Sequence, residues 1–405
     1  MINYRGDKVK KKLLIFLMAV IVLDVVALTV IFFTRDIDRA PVSATVPDIT
    51  SDVQETPPTT RQELFSRVSF VAVGDNLIHD TVYEQAKARS STGYDFTDAY
   101  ERIAHLIEEP DVAILNQETI ISTEHNVSSY PMFNSPVEVG EEMLEIGFDV
   151  FNIATNHSLD CGEKGLISTI NYWKEKDAVT TGAYLNSDDY ASLPMNEVNG
   201  VKIAYLGLTE LTNGLSLPDD SEVILVRAAE ESRIQQRIAQ AKQQADVVIV
   251  NAHWGNEYTH EPTDAQRRLA EKMASWGADV IIGHHPHVIQ PVEYIENSDG
   301  RRTLVAYSLG NFISAQNRGP RMLGGRLNFE IVKNNTTGGI AIENVTFNGV
   351  VTHYGHGYSN IRVYPLEDYT QELASKHGVL SKTSSFSLQY LHDIVNEVID
   401  KQFLK

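Results

Sequence analysis

An α/β fold is what this sequence predicts, on three observations. Short apolar runs rich in Val and Ile recur from residue 68 onward, amphipathic stretches separate them, and most of the runs end in carboxylate, amide or imidazole side chains. Buried parallel strands read as continuous apolar runs, and strands alternating with helical patterns imply βα units. Ligands of open α/β sheets bind beyond the carboxyl ends of such strands. The polar tips therefore mark one candidate site.

In chain order, residues 1–12 form a basic tail with Arg5, Lys8, Lys10, Lys11 and Lys12. Residues 13–33 are almost wholly apolar, with Asp24 their one charge. At about 1.5 Å per helical residue this run crosses a hydrocarbon core of about 30 Å. The preceding positive cluster predicts a single-pass membrane helix with a cytoplasmic N-terminus and the main domain extracellular. The run is longer than a usual signal-peptide core and lacks a small-residue cleavage pattern, so a retained anchor is favoured over a cleaved leader. Residues 34–66, rich in Pro, Thr and Ser, read as a semi-extended linker. Residues 67–366 form the predicted main domain and 367–405 a C-terminal segment with an amphipathic helix over 384–403.

Within the main domain, strands are expected at 68–73, 112–115, 150–154, 202–206, 247–250, 280–282 and 304–307, and helices at 96–107, 162–176, 228–244 and 263–276. Alternating patterns at 326–332 and 339–347, joined by a turn at 334–338, predict an antiparallel edge. Of the formal charge of −20, the first 35 residues carry six Lys or Arg and two Asp or Glu, leaving 28 basic against 52 acidic residues. Such an acidic domain is no nucleic-acid binder on electrostatic grounds. Cys161 is the single cysteine, which excludes an intrachain disulfide.

Six tips carry the chemistry. They are Gly74-Asp75-Asn76 with His79 beyond, Asn116-Gln117-Glu118, Thr155-Asn156-His157, His253-Trp254-Gly255-Asn256-Glu257-Tyr258, His284-His285-Pro286-His287, and Leu309-Gly310-Asn311. Pro286 disfavours a helical His285, so His285 and His287 are expected on extended backbone, pointing to the same side. One Asp or His after a strand is commonly a helix cap or a loop residue. Six tips of the same kind make a divalent-metal centre the better reading. Mixed oxygen and nitrogen donors without thiolates suit Zn, Mn or Fe, as one ion or two, and do not choose among them.

The stretches VAVGDN, ILNQETII, NIATNHSLDCG, TGAY, AHWGNEY, IIGHHPHVIQP and YSLGNF, in this order over about 68–314, resemble the CapA or poly-γ-glutamate capsule biosynthesis family of the calcineurin-like metallophosphoesterase superfamily. The resemblance implies a two-sheet sandwich flanked by helices, with the metal cluster at the strand tips. It implies Asp75 as the first metal aspartate and Asn116 with Glu118 at the place of the superfamily's bridging aspartate. Asn156 would be the amide ligand, and His253, His285 and His287 the imidazole ligands. His157 would be the acid beside the leaving group. The superfamily's Asp-x-His is absent, since Leu77 stands at the histidine's place, and His79 is the candidate substitute. His284 is an additional imidazole.

Trp254, Glu257, Tyr258 and Asn311 are implied substrate contacts. Arg318 and Arg321 are added because guanidinium groups suit carboxylate and phosphate. The implied work is capsule or poly-γ-glutamate synthesis, export or processing. That reading predicts a metal-dependent hydrolase or transferase acting on an anionic surface polymer, with membrane contact through 13–33 and membrane subunits of a polymer synthase as partners. A non-catalytic polymer-binding or assembly subunit and a surface phosphoesterase are the alternatives.

Overall fold

The computed structural model describes residues 64–404. The expected membrane helix over 13–33 and nearly all of the linker lie outside the described residues, among which no helix is long and apolar enough to cross a membrane.

Two mixed sheets form the frame. The first runs in the order Arg362–Pro365, Ile340–His353, Leu323–Asn334, Phe65–Asn76, Val112–Asn116, Val150–Asn152, Val179–Thr181, with Asn311–Ile313 added against Phe65–Asn76. The second runs Val292–Glu296, Arg302–Ala306, Val280–His284, Val247–His253, Val201–Thr209, Met195–Val198. Each contains a parallel core, as the unbroken apolar runs require.

Alternation along the strands determines what each face covers. In Val247–His253, Val247 and Ile249 join the large core together with Phe70 and Ala72 of the first sheet, while Val248 and Val250 join a second core. That second core is closed by the helices Glu231–Gln244 and Asp264–Trp276 through Ile238, Leu269 and Met273. The first sheet is packed by Gly162–Glu175, whose Trp173 stacks on Phe151 at 4.1 Å. The result is two sheets sharing one core, with helices flanking them.

Local signals explain the best-placed helix. Thr263 and Gln266 form a reciprocal capping box, and Gly277 closes the helix at φ +119. Elsewhere the structure corrects the expectations. The 96–107 helix is two short ones, Thr97–Tyr100 and Ala104–Glu108, separated by a turn. The C-terminal helix is Leu388–Val398, capped by the Ser387 hydroxyl, followed by a separate 3-10 turn at Lys401–Phe403. The hairpin expected as an edge supplies two of the eight strands of the first sheet and is followed by Arg362–Pro365: Leu323–Asn334 pairs with Phe65–Asn76 over nine residues and with Ile340–His353 on its other side. The first strand also begins at Phe65, inside the stretch read as linker.

Candidate metal centre

Register places the tips in two rows. Across the first sheet Asp75 is level with Asn116 and with Asn311, and Asn116 with Asn152. Across the second, His253 is level with Thr209 and with His284. Two glycines let neighbouring backbone pack closely at these tips. A Cβ on Gly74 would lie 1.8 Å from the Gly310 carbonyl oxygen, and one on Gly283 would lie 1.9 Å from that of Tyr307. Only backbone without a side chain fits there.

Where the rows converge, Asp75 is fully buried. It accepts from the Asn116 amide at 2.8 Å and from the His285 backbone N–H at 3.4 Å, and pairs with His287 Nδ1 at 3.2 Å. Glu118 is also fully buried, with His287 Nε2 at 3.8 Å and His253 Nε2 at 3.9 Å. His253 Nε2–H donates to Asn156 Oδ1 at 2.9 Å. Three overlapping sets bring ligand atoms within 4.8 Å of one another: Glu118, His253 and His285; Glu257, His285 and His287; and Asp75, Glu118 and His287.

The residues fit a divalent cation. Both Glu118 carboxylate oxygens are buried without a hydrogen-bond partner, and so are Nδ1 of His284 and Nδ1 of His285. A buried carboxylate left unpaired is costly, and a cation compensates it. Burial, with Asp75, Glu257 and Asp160 adding to it, pushes the Glu118 carboxyl well above the usual range, against the opposing pull of His287. Burial holds His284 and His285 down at about 4 and His253 well below its ordinary value. Neutral imidazoles are the form that binds metal. His287 differs: burial opposes its charge, but Glu118, the Asp75 hydrogen bond and Glu257 carry it up to about 9. Asp75 is lowered, its burial outweighed by His287, His284 and His285 together.

His157 stands beside this cluster, its Nδ1 bonded to Asp160 Oδ2 at 2.7 Å and its ring edge-on to Phe133. Glu257, Tyr258 and Arg321 lie together at the mouth. Glu257 is 3.9 Å from His287 Nε2, Tyr258 stacks on His287, and the Arg321 guanidinium covers Tyr258.

Several expectations are corrected. His285 and His287 are not extended; their φ values are +98 and +59, so a tight left-handed turn around Pro286 brings both rings to the cluster. Trp254 is a core residue whose ring N–H donates to the Tyr307 carbonyl at 2.9 Å, because it points to the helix-covered face of its sheet. The Asn116 oxygen accepts from Asn152 at 2.7 Å, so this amide braces Asp75 instead of facing an ion. Asn311 spends its amide on His287 Nδ1 and on the carbonyls of His287 and Arg321, and so positions those two residues. His79 Nδ1 lies against the backbone of Leu77 and Ala315, outside the three ligand sets. The Arg318 side chain is exposed and hydrogen-bonds the neighbouring Asn317 carbonyl, outside the three ligand sets.

Residues missed in the sequence are those that hold others. Asp160 orients His157, and its i, i+3 spacing was the available signal. Tyr100 donates to Asn76, which donates to Gln117, behind the Asp75 and Glu118 tips. Asn213, which reaches Asn156 at 3.3 Å, comes from a loop with no signal at all.

Similarity to known proteins supplies the family. The family model described as "Bacterial capsule synthesis protein PGA_cap" matches residues 69–316. The chain is similar to "PGA biosynthesis protein CapA" of Bacillus subtilis (strain 168), 38% identical over 176 residues, covering 43% of this chain and 44% of that protein. It is similar to "Capsule biosynthesis protein CapA" of Bacillus anthracis, 36% identical over 190 residues, covering 44% and 43%. The matched stretches thus span less than half the length of these relatives. Among solved structures, a phosphatase from Mycoplasma pneumoniae aligns with a TM-score of 0.44 at 14% identity, over 71% of this chain and 94% of that one.

Proposed function

The chain belongs to the bacterial capsule synthesis protein family PGA_cap, and from that premise we propose that it is a metal-dependent hydrolase or transferase. It acts on an amide or ester bond of an anionic surface polymer of the poly-γ-glutamate kind, from a membrane tether over 13–33. The observation carrying this reading is Glu118, a buried carboxylate with both oxygens unpartnered among the imidazoles of His253, His285 and His287.

Asp75, Glu118, His253, His285 and His287, with Asn156 Oδ1 beside His253, are the groups that would hold the ion or ions. A divalent ion so bound supplies Lewis acidity and a water of lowered pKa. The remaining work falls to the chain's own residues. Asp160 accepts from Nδ1 of His157, which leaves Nε2 as the atom that takes up and delivers a proton near the leaving group. His253 Nε2–H, which donates to Asn156 Oδ1 in the metal-free chain, is where a cation can take that proton's place. Tyr258 and Arg321 border the cluster and shape what reaches it.

The test is metal analysis of the purified domain together with a panel of γ-glutamyl and phosphoester substrates. Metal uptake with turnover of a γ-glutamyl bond, abolished by His285→Ala, is the expected result. Turnover of phosphoesters alone would shift the assignment to a surface phosphoesterase. The relatives carry the names of biosynthesis proteins, which favours as second reading an assembly subunit. Stoichiometric polymer binding without turnover would select it.

A further inference from the structure

Arg321 occupies an unusual position. Its guanidinium carbon lies 3.3 Å from the centre of the Tyr258 ring, close enough to be in face-to-face contact. Tyr258 in turn stacks on His287, ring centres 5.9 Å apart. Among the described residues no carboxylate pairs with Arg321 and no acceptor takes a hydrogen bond from its guanidinium. Burial lowers its pKa, with Tyr258 and Glu257 opposing that pull, so the charge is partly desolvated. The platform is also held in place. Tyr258 is a non-glycine residue at φ +68, its N–H bonded to the Pro286 carbonyl at 2.8 Å, while the Arg321 carbonyl accepts from Asn311 at 3.0 Å. Left-handed backbone at a non-glycine residue persists where surrounding contacts over-determine it.

The one acidic neighbour, Glu257, is turned to His287 Nε2 at 3.9 Å and belongs to a ligand set. An ion in the cluster would engage it and leave Arg321 as an uncompensated cation at the mouth.

We infer that Arg321, presented on the face of Tyr258, is a subsite for an oxyanion of the substrate, next to the group undergoing reaction. Placed end to end, the two stacking distances put the guanidinium carbon no farther than about 9 Å from the His287 ring. The substrate therefore carries a carboxylate or phosphate within that reach of the bond held at the cluster, as a chain with an anionic group on every unit does. A planar fork of N–H donors backed by an aromatic ring suits bidentate recognition of such a group. This inference rests on the proposed function and adds to it the spacing of charge along the substrate.

The experiment is calorimetric titration of Mn-loaded protein with three probes: γ-linked tetraglutamate, its analogue with the free side carboxylates converted to carboxamides, and inorganic phosphate. Arg321→Gln is expected to weaken the charged probe roughly 10- to 100-fold, the range for a lost hydrogen-bonded charge. Arg321→Lys recovers part of that loss, and Tyr258→Leu reproduces it. Metal content stays unchanged in all three variants, and the carboxamide analogue is insensitive to them. Whether tetraglutamate or phosphate loses affinity identifies the source of the oxyanion. Unchanged affinity for both in a metal-loaded Arg321→Gln protein overturns the inference alone. A wild-type protein that takes up no metal and binds neither probe defeats it together with the proposed function.

Discussion

One oxygen of Asp160 serves two partners: Oδ2 lies 2.7 Å from His157 Nδ1 and accepts the Phe133 backbone N–H at 2.6 Å. The Phe133 ring then packs edge-on against the same imidazole. One loop therefore locks both the carboxylate and the histidine, and the proton-carrying atom of His157 is set by Asp160 and Phe133. Asp160→Asn keeps the shape but cannot hold the same tautomer. It should lower kcat about 100-fold, within the range of a lost general acid, with little change in KM and none in metal content. Steady-state kinetics with metal analysis of the same preparation checks this.

Glu118→Gln replaces a buried carboxyl, both of whose oxygens lack a hydrogen-bond partner, with a neutral amide. Without metal the variant should melt higher than the wild type, by about 1–2 °C for each kcal/mol of relieved desolvation in a chain of this size. Its metal affinity should fall by more than the roughly 10- to 100-fold typical of an outer-shell change. Paired melting curves with and without metal give both signs in one experiment.

Gly283→Ala tests the meeting of the strand ends. The new methyl would lie 1.9 Å from the Tyr307 carbonyl oxygen and 2.7 Å from the Trp254 ring nitrogen. Overpacking of this kind costs about 1–3 kcal/mol or more, and the shift would separate His284 and His285 from Asp75. Reduced denaturant stability together with lost metal uptake is the expected pair of results. Ordinary stability would mean the strands have room to part.

Far from the cluster, His353 and His377 are each lowered to about 4, mainly by burial, and His353 bonds the Tyr369 hydroxyl at 2.7 Å. Both are neutral in the folded protein below the pH where they charge in the unfolded chain, about 6.5. The unfolded state therefore binds more protons between pH 6.5 and 4, and stability falls as pH drops through that window. His353→Phe with His377→Gln should flatten this limb of the stability curve. Urea midpoints at pH 7, 6, 5 and 4 measure the effect.

The apolar runs by themselves determined that strands exist at 68–73, 112–115, 247–250 and 280–282 and that polar groups finish them, because burial on both faces leaves an unbroken record in composition. The Thr263 to Gly277 helix was equally legible, since its cap and stop are local chemistry. Only the tertiary structure decided which tip residues are ligand candidates and which are braces. Asn116 and Asn311 have the same side chain type as Asn156, yet hydrogen bonds from Asn152 and His287, and one to the Arg321 carbonyl, commit the first two elsewhere. Trp254 was turned to the core by the alternation of its strand, and His285 and His287 were brought together by left-handed backbone that a proline rule does not predict. The physical reason is the same in each case. Strand formation is dictated by neighbours along the chain, whereas the direction and partner of a buried polar group depend on residues tens or hundreds of positions away.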